Sequence, residues 1–359
     1  MWSNEGGRMN SNRITRRKLV AQWASGIGVC VGLSGCLSEG NGGKRSTAEV
    51  YVSGERKSNE TEQVANVLGE LHQNIGADLD GIIENMSTFS GVLGESNSSF
   101  EPNIDSERTD VYTNKISDVA NQGTEKQQTM TEYVSDVVSV IDGIEDITPV
   151  VKQSIENISG FEKGVAELDG ELCEQKSVEL SNQVDNMYSI VNSMRASRAN
   201  IARGDLDVGN GLSFSKVNRA VERVIEIVDY FGLIERGFDP LGSVVGDVVV
   251  VTQTAPDREK TEMLREALKR ISTQTSEAYS VYTDMDDVWD ANLEADVMKI
   301  KCVSNTMNGM ADTLLKIVRM NGEEGSVPRA LVMSVVGSND ECNYSFLQEE
   351  LSSVSRRYL

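Results

Sequence analysis

The sequence predicts an all-α fold, an elongated antiparallel helical bundle or coiled coil with long helices. Three observations predict it. Apolar residues recur every three or four positions over most of the chain beyond residue 60, the period of a helix face. Prolines, which break helices, number five in 359 residues. Aromatic residues make up 5% of the chain, so the predicted inner faces are Val, Ile, Leu and Met mixed with Ser and Thr. Such a seam associates but specifies its partner loosely.

The elements follow in order. Val64, Leu68, Leu71, Ile75, Leu79, Ile82, Met86, Phe89 and Leu93 form one stripe on a helix near 60–95. Residues 94–105, with Ser, Asn and Pro102, read as a loop. A second helix starts near Ser106 and carries Tyr112, Ile116, Val119, Met130, Val134, Val137, Ile141 and Ile144 inward. Thr148-Pro149 reads as an N-cap followed by a proline at the first helical position. The second helix is therefore expected to end or kink there and a third to begin, its inner face running from Val151 through Val184 to Ile201, with Gly160, Gly164 and Gly170 as places where it could be interrupted. Residues 204–211 break the pattern, and a fourth helix is expected over about 213–231.

Residues 232–256 are the least helical part of the reading. The β-branched run at 243–252 fits either a strand or a buried helix of poor propensity, and an apolar connector packed on the bundle is the favoured expectation. From about Asp257 to Met320 the steps of three and four resume and predict one helix of about 96 Å at 1.5 Å per residue, with Gly309 as a place where it could split. Between Met285 and Val303 the steps run four, four, four, three, three, a change of phase. Leu347, Leu351, Val354 and Tyr358 close the chain with a last amphipathic segment.

The amino terminus predicts an address. Arg13, Arg16, Arg17 and Lys18 precede a weakly apolar, glycine-rich run over residues 19–35 that Gln22 and serines interrupt. A membrane-spanning helix needs about 20 strongly apolar residues, so this run fits the h-region of a signal peptide. Arg16-Arg17 resembles the twin-arginine export signature. Leu33-Ser34-Gly35-Cys36 resembles a lipobox, in which small residues admit a peptidase and the Cys36 thiol takes a lipid. The expected organisation is a signal peptide over 1–35, a lipidated cysteine and flexible tether over 36–58, and a helical bundle over 59–359. One short strand is expected at residues 48–53 within the tether.

Charge supports the same address. The chain has 34 Lys and Arg against 56 Asp and Glu, net −22. Residues 1–35 hold five of the bases and one of the acids, which leaves 29 against 55, or −26. That surface repels nucleic acid and anionic headgroups and suits a high-salt milieu where repulsion is screened. Export signal, lipobox and acidity together resemble the class of haloarchaeal secreted lipoproteins. The resemblance implies an archaeal protein held by Cys36 on the extracytoplasmic face of the cell membrane. The heptads and polar helix faces also broadly resemble chemoreceptor-type sensory bundles, without a receptor tip sequence, so no function carries over.

Candidate sites are few. Of the sequons, Asn59 and Asn97 lie in polar stretches and are the expected glycosylation acceptors, with Asn85, Asn157 and Asn343 behind them. Cys173, Cys302 and Cys342 remain after the lipobox. They allow one disulfide, with Cys302–Cys342 preferred because it ties the last segment to the preceding helix, or else three buried thiols. His72, the only histidine, reads as structural. The loop at 205–211 lacks the fifth and twelfth ligands of a calcium loop, where Gly209 and Lys216 stand. Asp287, Asp290 and Glu294 share one helical face and are the candidate weak cation ligands, against the plainer reading of a hydrated acidic face. No catalytic constellation, metal site or cofactor motif is found. The expected function is a non-enzymatic interaction, spacer or sensory-accessory module of the cell envelope with an unidentified envelope partner. The alternative is a solute- or cation-binding lipoprotein serving a membrane partner, with Tyr282 and Trp289 in its pocket.

Overall fold

The computed structural model describes residues 59–93, 99–203, 212–253, 261–281 and 290–322. The chain divides into two units, Met1–Lys44 and Arg45–Leu359, and every described residue falls in the second. The signal peptide, lipobox, tether, short strand, calcium-like loop and last amphipathic segment lie outside the described residues.

Among the described residues the structure has seven α-helices and no strand. They are α1 (Asn59–Ser87), α2 (Ser106–Val119), α3 (Glu125–Glu167), α4 (Gly170–Arg203), α5 (Phe214–Gln253), α6 (Thr261–Ser280) and α7 (Ala291–Gly322). The all-α expectation holds, and helix pairs pack as a bundle. Their polar links give the directions. Asp136 meets Asn200 and Ser154 meets Gln183, so α3 and α4 are antiparallel. Arg198 meets Glu222 and Tyr188 meets Asp229, which makes α4 and α5 antiparallel. Helix α1 runs parallel to α5 instead, because Lys216 reaches Asp80 while Arg223 reaches the carbonyl of Met86.

The expected second and third helices divide differently. The second is cut after Val119, where Gly123 takes a φ of +81° and Thr124 caps α3. Thr124 and Gln127 form a reciprocal capping box, with Gln127 Oε1 2.8 Å from the Thr124 amide. Helix α3 then passes through Pro149 without ending there. Pro149 faces solvent, so the carbonyl it leaves unpaired is near water, and Val150 and Val151 go on packing into the core. The break comes at Leu168, left-handed at φ 55°, after which the Asp169 carboxylate accepts the Leu172 amide 3.0 Å away and starts α4.

Two expectations are corrected outright. The connector at 232–256 is helix as far as Gln253. Val244, Val245, Val248 and Val251 are buried, and Asp247 receives a fork from Arg270, with Nε 3.0 Å and NH2 2.6 Å away. Helical spacing thus puts the valines inward and the acid against α6. Burial outweighs the ~3 kcal/mol an interior proline costs at Pro240. The expected 96 Å helix is two helices folded back on each other. Ser272 Oγ lies 2.6 Å from Asp312, and the Asn308 amide donates to the Ser272 carbonyl at 2.7 Å.

One apolar core runs through all seven helices. Its tightest ring contact stacks Phe161 of α3 on Phe238 of α5, centroids 4.0 Å apart.

Candidate functional site

Two polar features stand out, one buried and one open. The buried one joins the segment after α1 to α5 and α7. Met86 and Phe89 are core residues, so the chain leaving α1 is pinned against α5. Gly91 then takes a φ of +115°, which turns the amides of Val92 and Leu93 toward α7. Asp296 Oδ2 accepts both, at 3.0 Å each, and also the Tyr230 hydroxyl. Its other oxygen takes Lys299 Nζ at 2.8 Å, and Lys299 also donates to the Leu93 carbonyl at 2.9 Å. Arg223 completes the joint by donating to the carbonyls of Met86 and Phe89, at 3.2 and 2.9 Å. Asp296 is 4% exposed and Tyr230 fully buried. Burial first, then the charge of Asp296, pushes the Tyr230 hydroxyl well above its usual range. A buried carboxylate is tolerable when its lone pairs are filled, and here they are. Each charged group in the joint is occupied by backbone or by its neighbour, so the joint holds helices rather than a substrate.

The open feature is a furrow between α3 and α4. Its first recess, about 460 Å³, also meets the end of α2, with Ile116 and Ala120 lining it beside Glu132, Tyr133, Asp136 and Asn200. Its second, about 220 Å³, is lined by residues including Ser139, Asp142, Asp146, Ser189, Ser193 and Ser197. Gly143 forms the floor. A Cβ there would lie 2.5 Å from Met194 Cγ, so glycine lets α4 press on α3. Burial raises the Asp142 carboxyl above its usual range, and Glu145, Asp146 and Asp110 add to the rise. Burial also raises Asp136, against the hydrogen bond from Asn200. Ser139 donates to the Ser135 carbonyl at 3.1 Å, and His72 is buried on α1.

The expected site residues fall as follows. Asp287, Trp289 and Tyr282 lie outside the described residues, as do Cys36, Arg16, Arg17, Leu33, Ser34, Gly35, Asn97 and Cys342. Asp290 starts α7: its carboxylate accepts the Asn292 amide at 2.9 Å, its carbonyl accepts the Glu294 amide at 3.0 Å, and Arg223 stands 3.4 Å away. Among the described residues no group of three His, Cys, Asp or Glu side chains is placed to hold a metal ion. Asn59 is the first residue of α1. Asn157 is buried, between Gln183 at 2.9 Å and Lys176 at 3.1 Å. Cys302 is disulfide-bonded, whereas Cys173 is buried and free. Burial, then Asp169, pushes the Cys173 thiol up to about 12.

The sequence reading missed the Asp296 joint. Its signal was present: Asp296 lies three residues after Leu293 and four before Ile300, on the buried stripe of α7. Arg223 sits likewise between Ala220 and Ile227 on α5. A charge on an apolar stripe needs a partner, and each marked this joint.

No family model, curated protein or solved structure matches the chain.

Proposed function

We propose that the protein is a lipid-anchored, extracytoplasmic, non-enzymatic helical module of the cell envelope, acting in interaction, spacing or as an accessory to sensing. The observation that carries this reading is the ordered run of Arg16-Arg17, a short apolar stretch and Leu33-Ser34-Gly35-Cys36. Twin arginines address a folded precursor to export, and the lipobox supplies the thiol for the anchor. Stable anchoring takes two lipid chains or a second signal, and the acidic body repels anionic headgroups, so the lipid carries the attachment.

Two features of the bundle support the second half. The reactive-looking groups serve the fold: Asp296, Tyr230, Lys299 and Arg223 hold one joint, and the Cys173 thiol is buried with its ionisation pushed up. What the bundle offers to solvent is helix surface, including the furrow between α3 and α4. No described helix is long and apolar enough to cross a membrane.

The test is Cys36→Ser. The wild-type protein is expected in the membrane fraction, extractable only with detergent, and the variant in the medium or the soluble extracytoplasmic fraction. A variant that partitions with membranes as the wild type does would remove the anchor from the account.

A further inference from the structure

We propose that α6 and α7 form a hairpin docked on the rest of the bundle by a carboxylate latch at Asp296, and that this hairpin opens as one unit while α1–α5 stay folded. The proposal goes beyond the envelope reading and does not depend on the lipid anchor.

Topology permits the motion. Helices α6 and α7 follow one another in the chain, pack on each other along their lengths and meet the other helices chiefly through α5. They lie after the other five described helices in the chain. Leu264, Leu268 and Ile271 of α6 and Val297, Ile300 and Val303 of α7 are all buried, and α6 and α7 pack on each other more extensively than either packs on α5. Polar links hold this seam too, from Ser272 to Asp312 and Asn308.

Besides the face that α6 packs on α5, three polar contacts hold the hairpin down, one of them Arg223 of α5 at 3.4 Å from Asp290 at the start of α7. At α6, Arg270 forks onto Asp247 of α5, with Nε 3.0 Å from both carboxylate oxygens. That pair is partly open to water and yields gradually. At α7, Asp296 accepts the Val92 and Leu93 amides and the Tyr230 hydroxyl on one oxygen and Lys299 on the other. That anchor is all or none. A shift of an ångström strips that buried carboxylate of the two amides and the Tyr230 hydroxyl, while Lys299, on the same helix, stays with it; such a half-made joint costs more than full release into water, where the acid and both amides are hydrated. Intermediate positions are therefore disfavoured, and two discrete arrangements result. Anything that binds the released faces shifts the balance between them.

Native-state hydrogen exchange of the purified full chain against rising denaturant tests this. The amides of 264–278, of 293–318 and of Val92 and Leu93 are expected to share one opening transition, at least about 100-fold more open than the amides of 134–151 and 184–194. Asp296→Asn replaces an acceptor oxygen with an amino group and cannot take all four donors. It is expected to open the hairpin and Val92–Leu93 at least about a further 10-fold, with less than about 3-fold change in α3 and α4. If this variant does not fold, the wild-type transitions decide alone. A single transition shared by all helices, separate transitions for α6 and α7, or equal acceleration everywhere by Asp296→Asn would each overturn the proposal.

Discussion

Gly91→Ala puts one methyl group where the fold has no room for it. The φ of +115° is one that side chains with a Cβ rarely adopt, and holding alanine there costs about 1–3 kcal/mol. The Cβ itself would lie 2.6 Å from Asp296 Oδ2 and 3.0 Å from Asp296 Cγ, so the carboxylate has to withdraw. That oxygen accepts the amides of Val92 and Leu93, and both residues are buried beyond the reach of water. A buried donor left without its acceptor costs about 1–3 kcal/mol. The Val92 amide keeps a second acceptor, the Tyr230 hydroxyl at 2.9 Å, so the lost bond is that of Leu93, and strain plus one unmade bond sum to roughly 2–6 kcal/mol, a large part of the ~5–15 kcal/mol that holds a typical domain. The assay is equilibrium denaturation followed by circular dichroism at 222 nm, at fixed high salt, with the denaturant slope compared between variants. A loss under about 1 kcal/mol with an unchanged slope would refute the reasoning, since it would mean that the carboxylate is not held where the structure puts it.

Other outcomes follow from the same contacts. Asp136 and Asp142 have raised carboxyl pKa values in the folded state, so the folded protein binds more protons than the unfolded chain from the ordinary 3.8 upward. Stability is therefore expected to rise as pH falls from neutral toward that value, and Asp142→Asn to flatten the rise, as read by melting temperature against pH; a slope identical to wild type would contradict it. Phe161→Ala removes a fully buried ring stacked on Phe238 and is expected to cost about 3–5 kcal/mol by the same denaturation assay. Cys173, buried with its thiol pushed up to about 12, is expected to resist alkylation at pH 8 in the folded protein and to react once unfolded, which mass spectrometry resolves. Non-reducing peptide mapping is expected to join the Cys302 peptide to the Cys342 peptide, whereas a free Cys302 would contradict the disulfide.

What the sequence disclosed and what it hid divide along physical lines. Periodicity reports burial, so Leu68, Val137, Val191, Val224 and Val303 were all legible as inner residues, and with them the fold class. Periodicity does not report direction, and a hairpin of two helices carries the same stripe as one long helix. Residues 257–320 therefore read as a single rod, and the change of phase between Met285 and Val303 falls mostly inside α7 rather than at the reversal. Proline was a poor guide, because Pro149 lies on the solvent side and Pro240 is held by its buried neighbours. The β-branched run at 243–252 misled for a related reason: packing on both flanks overrides a weak helix propensity. The Asp296 joint was half legible: the charge on the buried stripe of α7 was in the sequence, but the backbone amides of Val92 and Leu93 that it accepts, some 200 residues away, leave no trace in side-chain pattern.

The account stands or falls with the first three dozen residues, and intact mass spectrometry of the native protein taken from its membranes tests them. The account predicts a chain that starts at Cys36 and carries the added mass of lipid on that residue. A chain that retains Arg16 and Arg17, or one that starts at Cys36 with no added mass, would contradict it.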